Sequence, residues 1–205
     1  MNNYTDQIEK AIKLKKEEKF EEALNILRSL NQSKKHSDEI KNLLIKTLFD
    51  YGNHLNDEWV CDYEKAAKVF KEIVHLDPNN YRAWYNLGIS YSNLNKIDDA
   101  LSAYNRSLEI KSDYMYCYYN IGLLFEIHKE DLETALYYYE KALSYNRNFT
   151  YALQASRDIR QKIEFLKISE SDNKLSETKA NIICKKCGNI NRVGAKFCDK
   201  CGESI

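Results

Sequence analysis

Six side chains of residues 81–114 return 34 or 35 positions later with their character preserved. Trp84, Leu87, Gly88 and Tyr91 precede Ala100 and Tyr104; Tyr118, Ile121, Gly122 and Phe125 precede Ala135 and Tyr139. The first four of each set follow i, i+3, i+4, i+7 spacing, which places them on one face of a helix. Gly88 and Ala100 are small enough to let two antiparallel helices approach closely, with aromatic rings filling the space beside them. A period of this length implies helix pairs that cannot bury their apolar faces alone and must stack on their neighbours.

This pattern resembles the tetratricopeptide repeat (TPR) family. The unit at Tyr118 carries one extra residue at the polar loop His128-Lys129-Glu130-Asp131. The unit before Trp84 is clear in its second helix, with Ala66, Phe70 and Ile73 ahead of Asp77-Pro78-Asn79-Asn80, where proline stops the hydrogen-bond ladder. Its first helix fits through Leu44, Leu48 and Tyr51 if about six extra residues enter the turn near residues 55–61. A weaker first unit shows Ala11, Leu14, Phe20, Ala23, Leu24, Leu27 and Leu30. Four units over about 4–148 give eight antiparallel helices, and Tyr151, Leu153, Ala155, Ile159, Ile163 and Leu166 predict a ninth that caps the stack. The expected fold is all-α: a right-handed TPR-type α-solenoid over 1–168, then a flexible polar tether over 169–180.

Residues 181–205 follow different rules. Cys184-Lys185-Lys186-Cys187-Gly188 and Cys198-Asp199-Lys200-Cys201-Gly202 are two C-x2-C-G knuckles, each offering two sulfurs from a tight turn. A segment this short buries too little to fold alone, so a metal must supply its folding free energy, on the order of 10 kcal/mol for structural zinc. With all four ligands cysteine, no coordination position is open to substrate, and the expected cofactor is one structural Zn2+. Disulfides are the alternative in an oxidising compartment, but the polar start Met-Asn-Asn-Tyr-Thr-Asp-Gln has no hydrophobic signal region. Iron in a rubredoxin-like site would carry a longer insert between knuckles. Residues 182–205 resemble the short zinc ribbons found at the ends of many prokaryotic proteins, which implies a small β-hairpin; Lys185 stands where that family often has proline. Cys61 and Cys117 are isolated and read as small packed side chains.

Charge excludes several classes of partner. Lys+Arg and Asp+Glu each number 31, so no bulk field attracts nucleic acid or an anionic membrane. No apolar run reaches the roughly 18 residues of a membrane span, and the expected location is cytoplasmic. His36, His54, His75 and His128 are scattered, and no G-x-S-x-G, phosphate-binding glycine loop or H-E-x-x-H is present, so the chain is not expected to be an enzyme. Glu21-Glu22 and Asp98-Asp99 start helices, where carboxylates suit the dipole.

The TPR resemblance implies a concave groove lined by the second, fifth, ninth and twelfth residues of each unit. These are Arg82, Tyr85, Ile89 and Ser92, then Tyr116, Tyr119, Leu123 and Glu126, with Asn42, Ile45, Phe49 and Gly52 in the unit before. The groove is aromatic and nearly uncharged, and it lacks the basic residues of the clamp that binds acidic chaperone C-termini. Tyr91, Tyr104, Tyr118 and Tyr139 are expected to pack between helices. The reading is an adaptor that holds a protein or peptide partner in the groove, with the ribbon as a second contact module. The competing reading is a factor whose ribbon touches RNA or DNA through Lys179, Lys185, Lys186, Arg192, Lys196 and Lys200, though Phe197 is its sole aromatic ring.

Overall fold

The computed structural model describes residues 3–33, 37–178, 182–191 and 194–205. Among these, nine helices precede a two-stranded hairpin. The helices are α1 (Asn3–Lys16), α2 (Phe20–Gln32), α3 (Ser37–Asn56), α4 (Tyr63–Leu76), α5 (Tyr81–Asn93), α6 (Ile97–Ile110), α7 (Met115–His128), α8 (Leu132–Tyr145) and α9 (Thr150–Thr178). The strands are β1 (Ile182–Ile183) and β2 (Ile190–Asn191), antiparallel, with Ile183 opposite Ile190. The chain divides into two compact units, Met1–Ala155 and Ser156–Ile205.

In the first unit each helix from α1 to α8 packs on its neighbours in sequence, and α3, α5 and α7 also touch one another in succession. That is the contact pattern of stacked helix pairs, an all-α solenoid. One left-handed residue recurs in each turn inside a pair: Glu18, Cys61, Asn95 and Glu130, with φ of 59°, 53°, 57° and 51°. Each stands two residues before its second helix begins. The turns between pairs share a second device. Trp84 Nε1 donates to the Pro78 carbonyl at 2.9 Å, and the Tyr118 hydroxyl, at the same repeat position, donates to Ser112 at 2.8 Å. Side-chain caps start three helices: Asp62 on α4, Asn80 on α5 and Asp131 on α8 each accept from a backbone N–H three residues on. At the amino-terminal end, Arg28 forks onto Glu72 at 2.9 and 2.6 Å, and Glu21 takes both Lys65 and the Tyr51 hydroxyl.

The close approach inside each pair is set by a glycine under a ring. A Cβ on Gly88 would lie 2.4 Å from Tyr104, one on Gly122 2.6 Å from Tyr139, and one on Gly52 2.6 Å from Phe70. Gly52 is therefore the counterpart of Gly88 and Gly122, which corrects the sequence register of this unit by one helical turn. From Gly52 to Phe70 is 18 residues, against 16 from Gly88 to Tyr104, so the turn gains two residues rather than six. The difference arises because α3 carries an unusually long apolar face. Ile40, Leu44, Leu48 and Leu55 are all buried, and a pattern that long accommodates either register.

Helix α9 also departs from expectation. It runs unbroken to Thr178, through most of the stretch expected to be a tether. Residues 169–178 are polar but contain neither glycine nor proline, so nothing in them ends a helix. Residues 179 and 180 lie outside the described residues.

The Gly122→Ala protein should lose about 2 kcal/mol of stability, since the new methyl meets both the Tyr139 ring and, at 3.2 Å, the Ala135 carbonyl. Thermal unfolding should show a midpoint lowered by roughly 4–8 °C. An unchanged midpoint would mean that the ring does not hold the pair together.

Candidate functional sites: an aromatic groove and a four-cysteine centre

The residues expected to line a groove lie on helices α5 and α7, beside the residues that precede and open α9. Their rings touch in one continuous row. Tyr114 lies 5.0 Å from Tyr81, 5.1 Å from Tyr85 and 5.3 Å from Tyr116. The row continues from Tyr116 to Phe149 at 5.3 Å, to Tyr119 at 5.4 Å and on to Tyr151 at 6.2 Å. Sequence reasoning named Tyr85, Tyr116 and Tyr119 but missed Phe149, Tyr114 and Tyr151. Tyr151 was assigned to the cap, although it stands 35 residues after Tyr116 and repeats its place.

Depth differs along the row. Tyr85 is half-buried, and its hydroxyl accepts from Asn120 Nδ2 at 3.1 Å. Burial, then the neighbouring Tyr114, holds its phenol well above the ordinary range. Tyr116 and Tyr151 are 40% and 68% exposed. Ile89, Ser92, Leu123 and Glu126 are half-buried beside them, and Glu126 accepts from the Tyr139 hydroxyl at 2.7 Å. Arg82 is exposed; its Nε donates to the Tyr81 hydroxyl at 3.1 Å and its guanidinium lies over the Tyr81 ring. Of the tyrosines expected to pack, Tyr104 and Tyr139 are fully buried, while Tyr91 and Tyr118 are half-buried.

The Gly52 register moves the groove positions of α3. Lys46, Phe49, Asn53 and Asn56 become the counterparts of Arg82, Tyr85, Ile89 and Ser92. Phe49 keeps its assignment, lying edge-on to Phe70 at 5.7 Å, whereas Ile45 takes the place of Tyr81 and Asn42 falls outside the set. The turn after α3 holds a residue that periodicity could not flag: Trp59, 88% exposed.

In the second unit the four cysteines converge. The Sγ atoms of Cys184, Cys187, Cys198 and Cys201 all lie within 4.8 Å of one another, with Cys184–Cys201 at 3.6 Å and Cys187–Cys198 at 3.5 Å. These separations are far above the ~2.05 Å of a disulfide. They approach the ~3.8 Å edge of a sulfur tetrahedron around zinc. Among the described residues this is the group able to hold a metal ion.

The two knuckles have the same backbone. Gly188 N–H donates to the Cys184 carbonyl and Gly202 N–H to that of Cys198, both at 2.8 Å, and both glycines have φ of +72°. No neighbour would touch a Cβ at either position, so the left-handed backbone alone selects glycine there. Burial works against ionisation of Cys198, but the backbone N–H groups of Lys200 and Cys201 and the Cys187 thiol draw it down to about 6. The Glu203 N–H favours a Cys201 thiolate, yet burial and the other three thiols push it up to about 12. Four thiolates this close repel one another without a cation between them.

Asn191 locks the knuckles together and was invisible to sequence reasoning. It is 1% exposed. Its Nδ2 donates to the Ile182 and Asn189 carbonyls at 3.2 and 2.9 Å, and its Oδ1 accepts from Asp199 N–H at 2.8 Å. Of the ribbon cations, Lys186 pairs with Glu203 at 2.6 Å, while Lys185, Lys196 and Lys200 are exposed. Lys179 and Arg192 lie outside the described residues.

Residues 81–114 and 116–149 each match a family model of the tetratricopeptide repeat, so the chain carries two such repeats. Tetratricopeptide repeat protein 37 of Xenopus laevis is 34% identical over 92 residues, which are 42% of this chain and 6% of that protein. The solved structure of MamA protein superposes with a TM-score of 0.58 at 20% identity, covering 88% of this chain and 97% of that one. The first TPR of Spaghetti (RPAP3), bound to the HSP90 peptide SRMEEVD, superposes with a TM-score of 0.53 at 27% identity. It covers 63% of this chain and 98% of that chain.

Cysteine chemistry separates the sites. With metal bound, Ellman's reagent at pH 8 should find one reactive thiol, the exposed Cys61. Chelation should release the four of the ribbon, and Cys117, buried and pushed up to about 12, should react only on unfolding. The Asn191→Ala protein should bind metal roughly 10- to 100-fold more weakly, read by competition with a chromogenic chelator. Equal affinity would remove Asn191 from the site.

Proposed function

We propose that this chain is an interaction adaptor. The groove of the helical unit takes a peptide or helix of a partner protein. The ribbon, folded around one structural zinc on Cys184, Cys187, Cys198 and Cys201, adds a second contact module. The observation that carries this reading is the row of partly exposed tyrosines on the inner helices. Such rings offer a large apolar body with a polar tip, and they are already ordered by one another, so little side-chain entropy remains to be lost on binding. The peptide held by the first TPR of Spaghetti (RPAP3) supports the same use of the fold.

Zinc would supply folding free energy and orient the knuckles. Four sulfur ligands leave no place for a reacting group, so catalysis at the centre is not part of the proposal. Two modest contacts on one chain raise apparent affinity through effective concentration when a partner can meet both. No described helix is long and apolar enough to cross a membrane, and the proposed partner is a protein.

Capture by the tagged full-length chain from source-cell lysate, with and without nuclease, tests this. The expected result is a defined set of proteins that survives nuclease and disappears with the Tyr116→Ala, Tyr119→Ala double variant. Tyr85 is left in place because its hydroxyl holds Asn120 of the next inner helix, and an unchanged helical circular dichroism signal checks that the half-buried Tyr119 can be truncated without unfolding. A set lost on nuclease treatment and on Lys185→Ala, Lys196→Ala would overturn the adaptor reading in favour of a nucleic-acid factor.

A further inference from the structure

The hydrogen-bonding character of the groove points to the conformation of its ligand. The hydroxyl of Tyr85 accepts from Asn120, which leaves its proton free to be donated outward. The hydroxyls of Tyr116, Tyr119 and Tyr151 take no hydrogen bond among the described residues. Four phenol donors thus share one aromatic strip, and leaving them unpaired against a ligand would cost free energy. The Arg82 guanidinium stands at one end with no carboxylate partner among the described residues; its contacts are to Tyr81.

Three ligand conformations can be weighed against that surface. An α-helix satisfies its own backbone and would leave the phenols without acceptors. A β-strand brings as many N–H donors as carbonyls, whereas Tyr85, its oxygen already accepting from Asn120, and Arg82, which has no acceptor, add donors that the other phenols do not balance. A polyproline II helix has no internal hydrogen bonds, and each proline removes an N–H while keeping its carbonyl, so the ligand is acceptor-rich and apolar. Its rings lie flat on aromatic side chains, and the stiff backbone has little entropy to lose.

We propose that the groove binds a proline-rich segment in the polyproline II conformation, oriented by an acidic residue at the Arg82 end. This rests on the reading of the groove as a peptide site. The footprint follows from spacing. Two steps between neighbouring inner helices at roughly 10 Å each span about 20 Å. At ~3.1 Å per residue this accommodates about six residues of polyproline II.

The test is a synthetic peptide array probed with the full-length chain. One half holds peptides of about ten residues in which a Glu precedes two proline pairs. The other half holds the same sequences with every proline changed to alanine. Hits are followed by fluorescence anisotropy. Binding should prefer the proline peptides by at least tenfold. It should fall at least tenfold with Tyr116→Ala and several-fold with Tyr151→Ala, an exposed position whose truncation leaves the helical circular dichroism signal unchanged. Tyr116→Phe should lose affinity despite keeping its ring, and Arg82→Ala should lose the preference for the leading Glu.

Equal or better binding of the alanine peptides would overturn the proposal. So would proline binding that Tyr151→Ala and Tyr116→Ala leave unchanged. If the array is silent while lysate partners are still captured and lost with Tyr116→Ala, Tyr119→Ala, the ligand conformation is wrong and the peptide groove stands. If those variants alter neither, both readings fall.

Discussion

The helical unit depends on three glycines, each lying beneath an aromatic ring. Where Phe70, Tyr104 and Tyr139 rest on Gly52, Gly88 and Gly122, any side chain would intrude to within 2.6 Å or less. The distance between the two helices of a pair is thereby fixed. That distance decides where the next pair can dock, and hence how far apart the rings on successive inner helices fall. The row from Tyr81 to Tyr151, with every step between 5.0 and 6.2 Å, is a consequence of that repeated spacing. The recurrence of the small residue breaks off after α7. In α9 the residue 35 positions after Gly122 is Arg157, exposed and long, and no ring can lie where it stands. The ninth helix repeats the first half of a unit and lacks the small residue that would admit a second half.

How much of this was legible in the sequence depended on whether a constraint was local. Gly88 and Gly122 sit in apolar patterns with one workable register, and the helices around them lie where the spacing placed them. α3 offered two registers, because its buried face runs from Ile40 to Leu55, and only contact with Phe70 identifies Gly52 as the pairing glycine. The reach of α9 was misjudged for a related reason. A polar composition signals exposure, but it takes glycine or proline to stop a helix, and residues 169–178 have neither. Phe149 and Tyr114 belong to the turns between pairs, and their place in the ring row emerges only once the pairs are stacked.

The ribbon obeys other physics. The grouping of its four cysteines was plain from spacing, because thiolates that could close a tetrahedron must sit at fixed intervals. Its cohesion was not. Asn191 is a polar residue in a short polar stretch, and nothing local marks it as 1% exposed. Its amide donates to the Ile182 and Asn189 carbonyls on either side of the first knuckle while its carbonyl oxygen accepts from Asp199 of the second. A segment with almost no apolar core thus holds its two halves together through a buried amide on one side and four sulfurs on the other. Lys186 and Glu203 close the exposed edge, which also removes one cation from any nucleic-acid footprint.

The helical unit uses tyrosine in two ways, and depth separates them. The ring of Tyr139 fills space over its glycine, and its hydroxyl is tied inward to Glu126. Tyr104 is likewise fully buried. Toward the surface, Tyr85 holds Asn120 but keeps its proton, and Tyr116, Tyr119 and Tyr151 hold no partner among the described residues. Phenylalanine would serve packing as well at those outer positions, with less polar surface to desolvate. Phe149 shows as much, buried in the same row. Hydroxyls placed where packing has no use for them are what the proposed adaptor role would draw on. Because the inner rings hold the outer ones in place, the surface proposed for recognition would be ordered before a ligand arrives.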